Sequence, residues 1–194
     1  MTKRLTAAID SIDAANALDP NSDIDDHGNP APKELVYGQR MSKTLHEFAP
    51  RSSEHLQLAA RAQHIERWTS PRSDFAEGRT GYKKWRANLS LFHAKRAAEL
   101  TEAAGYEKSD CERVAYLVQK RGIKRDDESQ ILEDVICLVF LESYFENFAN
   151  KYSDEKIIDI LQKTWAKMSD DGHAAALKIS YPPRLLDLIQ RALA

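Results

Sequence analysis

One stretch of the chain, residues 129–149, is apolar on every side of a predicted helix. A helix that is apolar all round must be surrounded by other helices or lie in a membrane. No apolar run reaches the roughly 18 residues that a membrane span requires. We therefore predict a buried central helix near 129–149 and no membrane partner. Its apolar residues are Ile131, Leu132, Val135, Ile136, Leu138, Val139, Phe140, Leu141, Phe145 and Phe148.

The rest of the chain also shows helical periodicity. Glycine is scarce, with 7 among 194 residues, and Val, Ile and Thr never alternate with polar residues as they do in strands. Serine, proline and glycine positions divide the chain into about eight helices. The third is predicted from residue 52 to about 68 and the fourth from 82 to 104, with a loop at 69–81 between them. We predict an all-α fold with one compact domain over 1–194, because one core is usual at this length.

Charge is unevenly distributed along the chain. Residues 61–125 carry 15 basic and 8 acidic side chains, although the whole chain has a net charge of -2. Such a segment could bind a small phosphorylated ligand, or its charges could cover solvated helix faces. Nucleic acid is a less favoured partner, because the pI is near 6.3. The acidic residues Asp10 and Asp13 make the start of the chain unlike a targeting signal, which predicts a cytoplasmic protein.

Three side chains form a candidate metal site. His64, His93 and Asp134 lie in three different predicted helices. Asp134 comes early in the most apolar helix, where an unpaired carboxylate would cost several kcal/mol, so it needs a cation, a metal or strong hydrogen-bond donors. Two imidazoles and one carboxylate can bind a divalent metal with open positions for water and substrate. The alternative for each histidine is a packed core residue.

Three segments resemble parts of the HD superfamily of all-α, metal-dependent phosphohydrolases. They are LAARAQHIE with His64, FHAKRAAELTEAAGY with His93, and QILEDVICL with Asp134. The resemblance implies an HD-like core at about 33–142, followed by C-terminal helices at 153–194. It also implies a divalent cofactor, Mn, Fe, Co, Ni or Zn, bound by His64, His93 and Asp134.

The same resemblance implies roles for further side chains. Glu66 or Glu133 would be the catalytic base or a further ligand. The residues expected to bind the phosphorylated substrate are Arg40, Arg67, Arg72, Arg79 and Tyr37. Two positions depart from the HD pattern, because Ile65 stands in place of the HD aspartate and Tyr37 in place of the first histidine.

Over nearly its whole length the chain also resembles a bacterial and fungal family of domains of unknown function, number 4202. The matching stretches are PKELVYGQRMS, LAARAQHIERW, GYKKWR, FHAKRA, LEDVICLVFLE and IIDILQKTWAKMS. This resemblance implies no particular activity. Two functions therefore stay open. The first is divalent-metal-dependent hydrolysis of a small phosphate ester or nucleotide. The second is a metal-free helical module that binds an anionic metabolite or a partner protein.

Overall fold

The computed structural model describes residues 2–194, and helices dominate this part of the chain. The prediction of an all-α fold is confirmed. The ten α-helices of the described residues are α1 (Lys3–Asn16), α2 (Lys33–Phe48), α3 (Glu54–Arg61), α4 (Gly78–Ala103), α5 (Lys108–Val118), α6 (Asp127–Val139), α7 (Phe145–Ala149), α8 (Asp154–Trp165), α9 (Asp170–Ala176) and α10 (Pro183–Leu193).

A small antiparallel hairpin lies between α1 and α2. Its strands are β1 (Ser22–Ile24) and β2 (Pro30–Pro32), and Ser22 pairs with Pro32. Asp25 accepts hydrogen bonds from the backbone N–H groups of His27 and Asn29, which closes the turn. The sequence did not predict these strands, because each has only three residues and no alternating apolar pattern.

The chain divides into two compact units, one ending at Arg121 and the other running from Gly122 to Ala194. In the first unit, α3 lies at the centre and contacts α1, α2, α4 and α5. Its position is explained by a short apolar run, since Leu56, Leu58, Ala59 and Ala60 are completely buried. One domain over the whole chain stays a prediction.

The third predicted helix is shorter in the structure than its pattern indicates. It ends at Arg61, and the chain continues through turns, so the prediction that it extends to about residue 68 is wrong. The turns are fixed by a contact distant in sequence, because the side chain of Asn16 accepts a hydrogen bond from the backbone N–H of Glu66 at 2.9 Å. His64 therefore lies in a turn and not on a regular helix.

In the second unit, the apolar stretch predicted as the central helix is helical throughout and is well buried. It begins as α6, widens into a π-helical segment at Phe140–Tyr144, and continues as α7. Asp126 caps α6 by accepting a hydrogen bond from the backbone N–H of Ser129. Among the described residues, no helix has the length and apolar character needed to cross a membrane.

Candidate functional site

Five side chains from three parts of the first unit come together around His64. Glu34 and Tyr37 lie one turn apart at the start of α2, His64 and Arg67 lie in the turns after α3, and His93 lies on α4. We call these five residues the His64 cluster. The ring of Tyr37 stacks on that of His64 with centroids 3.9 Å apart, and the ring of His93 is 6.1 Å from that of His64.

Both ring nitrogens of His64 face charged side chains. Nη1 of Arg67 lies 2.8 Å from Nε2, and Oε2 of Glu34 lies 3.3 Å from Nδ1. A guanidinium group can only donate hydrogen bonds, so Nε2 of His64 is the acceptor. The proton of the neutral ring is then on Nδ1, where it faces the carboxyl group of Glu34.

Burial and neighbouring charges shift the pKa values of this cluster. Burial, together with the positive charges of Arg67 and Arg86, holds the pKa of His64 well below its usual value. Burial raises the pKa of Glu34 to about 7, although Arg67 and Lys33 act in the opposite direction. Near neutral pH the cluster thus contains a neutral imidazole beside a carboxyl group that readily gains or loses a proton.

Arg67 carries the positive charge of the cluster. It is partly buried, and burial together with the charge of Arg86 lowers its pKa, while Glu34 raises it. Its guanidinium group lies 5.1 Å from the ring of Trp85, which in turn donates a hydrogen bond from Nε1 to the carbonyl of Ser70. Trp85 therefore packs within the fold, as its helical spacing with other apolar residues of α4 indicates.

His93 is the most deeply buried member of the cluster, with 4% of its surface exposed. Its Nδ1 lies 2.7 Å from the carbonyl oxygen of Ile65, whereas its buried Nε2 has no hydrogen-bond partner among the described residues. Burial and the nearby His64 lower the pKa of His93 to about 3. The ring is therefore neutral near pH 7.

The turn next to His64 has unusual backbone geometry. Glu66 has φ = 49°, in the left-handed region that residues other than glycine rarely adopt. Its carboxylate, a predicted catalytic base, receives two hydrogen bonds from Arg96, at 2.9 and 3.2 Å. Such strained residues are frequent at functional sites, but the carboxylate of Glu66 is used in an ion pair.

The other three arginines predicted to bind substrate are not members of the His64 cluster. Arg40 joins α2 to the hairpin, since it donates hydrogen bonds to the carboxylate of Asp26 and to the carbonyl of Ile24. Arg72 donates to the carbonyls of Phe75 and Ala76, which closes the loop after Pro71. Arg79 is exposed near the start of α4. Substrate binding by these three arginines stays a prediction.

Asp134 has a complete set of partners within the second unit. Its carboxylate accepts hydrogen bonds from the backbone N–H and the hydroxyl of Ser169, at 2.8 and 2.7 Å, and from Nε2 of Gln130 at 3.2 Å. A Cβ atom added at Gly172 would lie 2.6 Å from Oδ1 of Asp134, so only glycine allows this approach. We call Gln130, Asp134, Ser169 and Gly172 the Asp134 cluster.

Asp134 thus fixes the start of α9. Ser169 is the N-cap of that helix, and its hydroxyl accepts a hydrogen bond from the backbone N–H of Gly172 while it donates to Asp134. Glu133, the other predicted base, is buried beside Asp134 on α6, and its Oε1 lies 3.6 Å from Nζ of Lys167. The contacts of both acidic side chains described above therefore serve the packing of the second unit.

The predicted metal ligands do not fit a divalent ion as they stand. Within residues 2–194, no group of three or more His, Cys, Asp or Glu side chains is arranged to hold a metal. The lone pair of His64 Nε2 already accepts a hydrogen bond from Arg67, and Asp134 accepts three hydrogen bonds. The three predicted ligands also do not include Glu34, which was not predicted from the sequence although it lies beside His64.

Comparison with known protein families identifies a family for this chain. A family model described as a domain of unknown function, DUF4202, matches residues 6–189, which confirms the resemblance to that family. No curated protein matches, and no solved structure matches. Similarity to the HD superfamily stays a prediction.

Proposed function

The chain belongs to the DUF4202 family, and we propose that it binds a small phosphorylated anion at the His64 cluster, without a metal ion. The ligand is an anionic metabolite whose phosphate group lies against Arg67. This function corresponds to the metal-free module that the sequence left open, with the ligand assigned to a particular part of the basic segment.

A single observation carries the proposal, namely that Arg67 is partly buried and has no anionic partner among the described residues. Its one hydrogen bond goes to the neutral Nε2 of His64, and no carboxylate of the described residues lies within ion-pair distance of it. A partly buried cation normally has an anionic partner, because burial without one is costly. A bound anion would provide that partner and would accept the remaining N–H donors of the guanidinium fork.

The charges around Arg67 favour an anion further. Arg86 is exposed, acts on both His64 and Arg67, and makes no hydrogen bond or ion pair with another described residue. Lys33 and Lys120 also lower the pKa of His64 through their positive charges. Four cations thus act on His64, whereas the carboxyl group of Glu34, which has a pKa of about 7, is influenced by Arg67 and Lys33 and by the carboxylate of Asp19. Guanidinium forks match the oxygens of a phosphate group in pairs, which is the reason for proposing phosphate.

The test is calorimetric titration of inorganic phosphate into the protein in a chelating buffer. Arg67→Gln should weaken binding by about tenfold or more, because hydrogen bonds to a charged group are each worth ~1.5–3 kcal/mol. Arg51→Gln is the matched control, since Arg51 is an exposed arginine of the first unit outside the cluster, and it should bind phosphate as the wild type does. Equal affinities for all three proteins, with circular dichroism confirming that each is folded, would contradict the proposal.

The second candidate is the divalent-metal-dependent phosphohydrolase that the HD resemblance implies. One observation favours it, because the lone pair of His93 Nε2 is unused and its ring lies 6.1 Å from that of His64. A metal there would require His64 to release Arg67. Elemental analysis of protein purified without a polyhistidine tag separates the candidates. Metal near one equivalent, lost in both His64→Ala and His93→Ala, would favour the hydrolase.

A further inference from the structure

The hydrogen-bonding state of His93 restricts what can bind beside it. A carbonyl oxygen only accepts hydrogen bonds, so Nδ1 of His93 must donate its proton to Ile65 at 2.7 Å. Because the ring is neutral near pH 7, Nε2 carries a lone pair and no proton. Nε2 can therefore only accept a hydrogen bond, and only from a group that supplies a proton.

No described residue supplies that proton. Nε2 of His93 is buried and has no hydrogen-bond partner, in a side chain that is 96% removed from solvent. A buried acceptor without a donor costs free energy, and such atoms in folded proteins commonly face a ligand or an ordered water. His64 cannot provide the donor through Nε2, because that atom accepts from Arg67.

Nε2 of His93, which lacks a donor, and the guanidinium N–H groups of Arg67 that lack an acceptor belong to the same His64 cluster. The charged and titratable groups that act on His93 are His64, Arg67 and Glu34, and its ring lies 6.1 Å from that of His64. A ligand that reached both residues would meet donors on the guanidinium group of Arg67 and an acceptor on His93. An anion that carries its own proton matches both.

We propose that the anion bound at Arg67 donates a hydrogen bond to Nε2 of His93, so that the site selects a protonated phosphate group and rejects sulfate. This inference rests on the proposed function. A phosphate group with one P–OH both accepts from Arg67 and donates to His93. Sulfate has the same tetrahedral shape and similar size, but it carries no proton near neutral pH, so its oxygen would face the lone pair of Nε2. Sites built to pair with a particular donor discriminate strongly against an analogue that lacks it.

The experiment compares titrations of inorganic phosphate and of sulfate at about pH 6.5, where phosphate groups are partly protonated. The wild type should bind phosphate about tenfold more tightly than sulfate, the effect of about one hydrogen bond. His93→Asn retains a side-chain N–H near the position of Nδ1 and removes Nε2, so it should bind both anions with affinities within about threefold. His46→Asn is the control, because His46 is exposed on α2, and it should keep the wild-type preference.

The outcomes distinguish this inference from the proposed function. Equal binding of phosphate and sulfate by the wild type would overturn the inference and leave the anion site at Arg67 intact, with a water on His93. A preference for phosphate that persists in His93→Asn would also overturn the inference, since another group would then accept the hydrogen bond from the P–OH. Failure of both anions to bind would overturn the proposed function and this inference together. The wild-type comparison stands by itself if His93→Asn does not fold. His93→Phe, which also lacks Nε2, is then the second variant and should likewise bind both anions with affinities within about threefold.

Discussion

The two clusters of buried polar side chains differ in how completely their atoms are paired. In the Asp134 cluster, one carboxylate accepts three hydrogen bonds from two partners, and Gly172 leaves the space for it. In the His64 cluster, Arg67 has one hydrogen bond and Nε2 of His93 has none. His64, His93 and Asp134 were predicted by the same reasoning, as the ligands of one metal site.

The difference separates a structural role from a binding role. Buried polar groups that find all their partners within the fold stabilise it, and removal of one partner is costly. Buried groups whose partners are missing lower the stability of the protein by itself, and are commonly retained where a ligand completes them. This difference supports a structural role for Asp134 in the second unit, and it supports the proposal that the His64 cluster binds a ligand.

The largest expected effect is that of Asp134→Ala. The substitution leaves the backbone N–H and the hydroxyl of Ser169 without their acceptor, and it removes one of the two hydrogen bonds that the amide of Gln130 donates. The free energy of unfolding should therefore fall by about 4 kcal/mol. Urea denaturation followed by circular dichroism measures this fall. Where the variant folds, its affinity for phosphate should equal that of the wild type. A variant that is as stable as the wild type would contradict the structural role of the Asp134 cluster, because the hydrogen bonds of Asp134 would then not be needed for stability.

The next effect is the pH dependence that Glu34 introduces. Its pKa in the folded protein is about 7, above the ordinary 4.5, so the folded state keeps a proton that the unfolded state loses. The stability that this provides is complete below pH 4.5 and is lost as the pH rises through 7, a change of about 3 kcal/mol. The stability of the wild type minus that of Glu34→Gln should therefore fall by about this amount from pH 4.5 to above pH 7.

The histidines of the cluster act in the opposite direction. Their lowered pKa values make the folded state less stable as the pH falls below 6.5. Both proteins contain them, so the difference between wild type and Glu34→Gln isolates the carboxyl group. Urea denaturation at several pH values measures it, and a difference that does not change with pH would contradict a buried Glu34 with a raised pKa.

The smallest expected effect is that of His93→Phe on stability. The phenyl ring fills a similar volume and removes the unpaired Nε2, which offsets the loss of the hydrogen bond from Nδ1 to Ile65. The free energy of unfolding should change by no more than about 1 kcal/mol. A loss of about 3 kcal/mol or more in the same urea measurement would show that His93, like Asp134, is held for stability.

The sequence predicted the helical fold and most members of the His64 cluster. Tyr37, His64, Arg67 and His93 were all named as candidates, and the structure brings them together. Glu34 was missed, although a signal existed, because it lies at helical spacing with Tyr37 and Met41 on the buried side of α2. An acidic residue on an apolar stripe is unusual, and it could have been singled out as Asp134 was.

The partners of Asp134 and the end of α3 could not be predicted in this way. Helical periodicity describes which residues share a face, and does not describe which loop meets that face. Asp134 is satisfied by the turn before α9, 35 residues further along the chain. The end of α3 depends on Asn16, which lies 50 residues before the N–H of Glu66 that it accepts from. No proline or glycine follows Arg61 to mark that end.

The most direct test of this account is the nitrogen-15 NMR spectrum of the imidazole rings, recorded during a titration with phosphate in a chelating buffer. His64 and His93 should carry their proton on Nδ1, whereas His173 should carry it on Nε2, which lies 2.9 Å from the carbonyl of Trp165. Phosphate should shift the Nε2 resonances of His64 and His93, and should leave His173 unchanged. Phosphate that leaves His64 and His93 unchanged would contradict the assignment of the His64 cluster to anion binding.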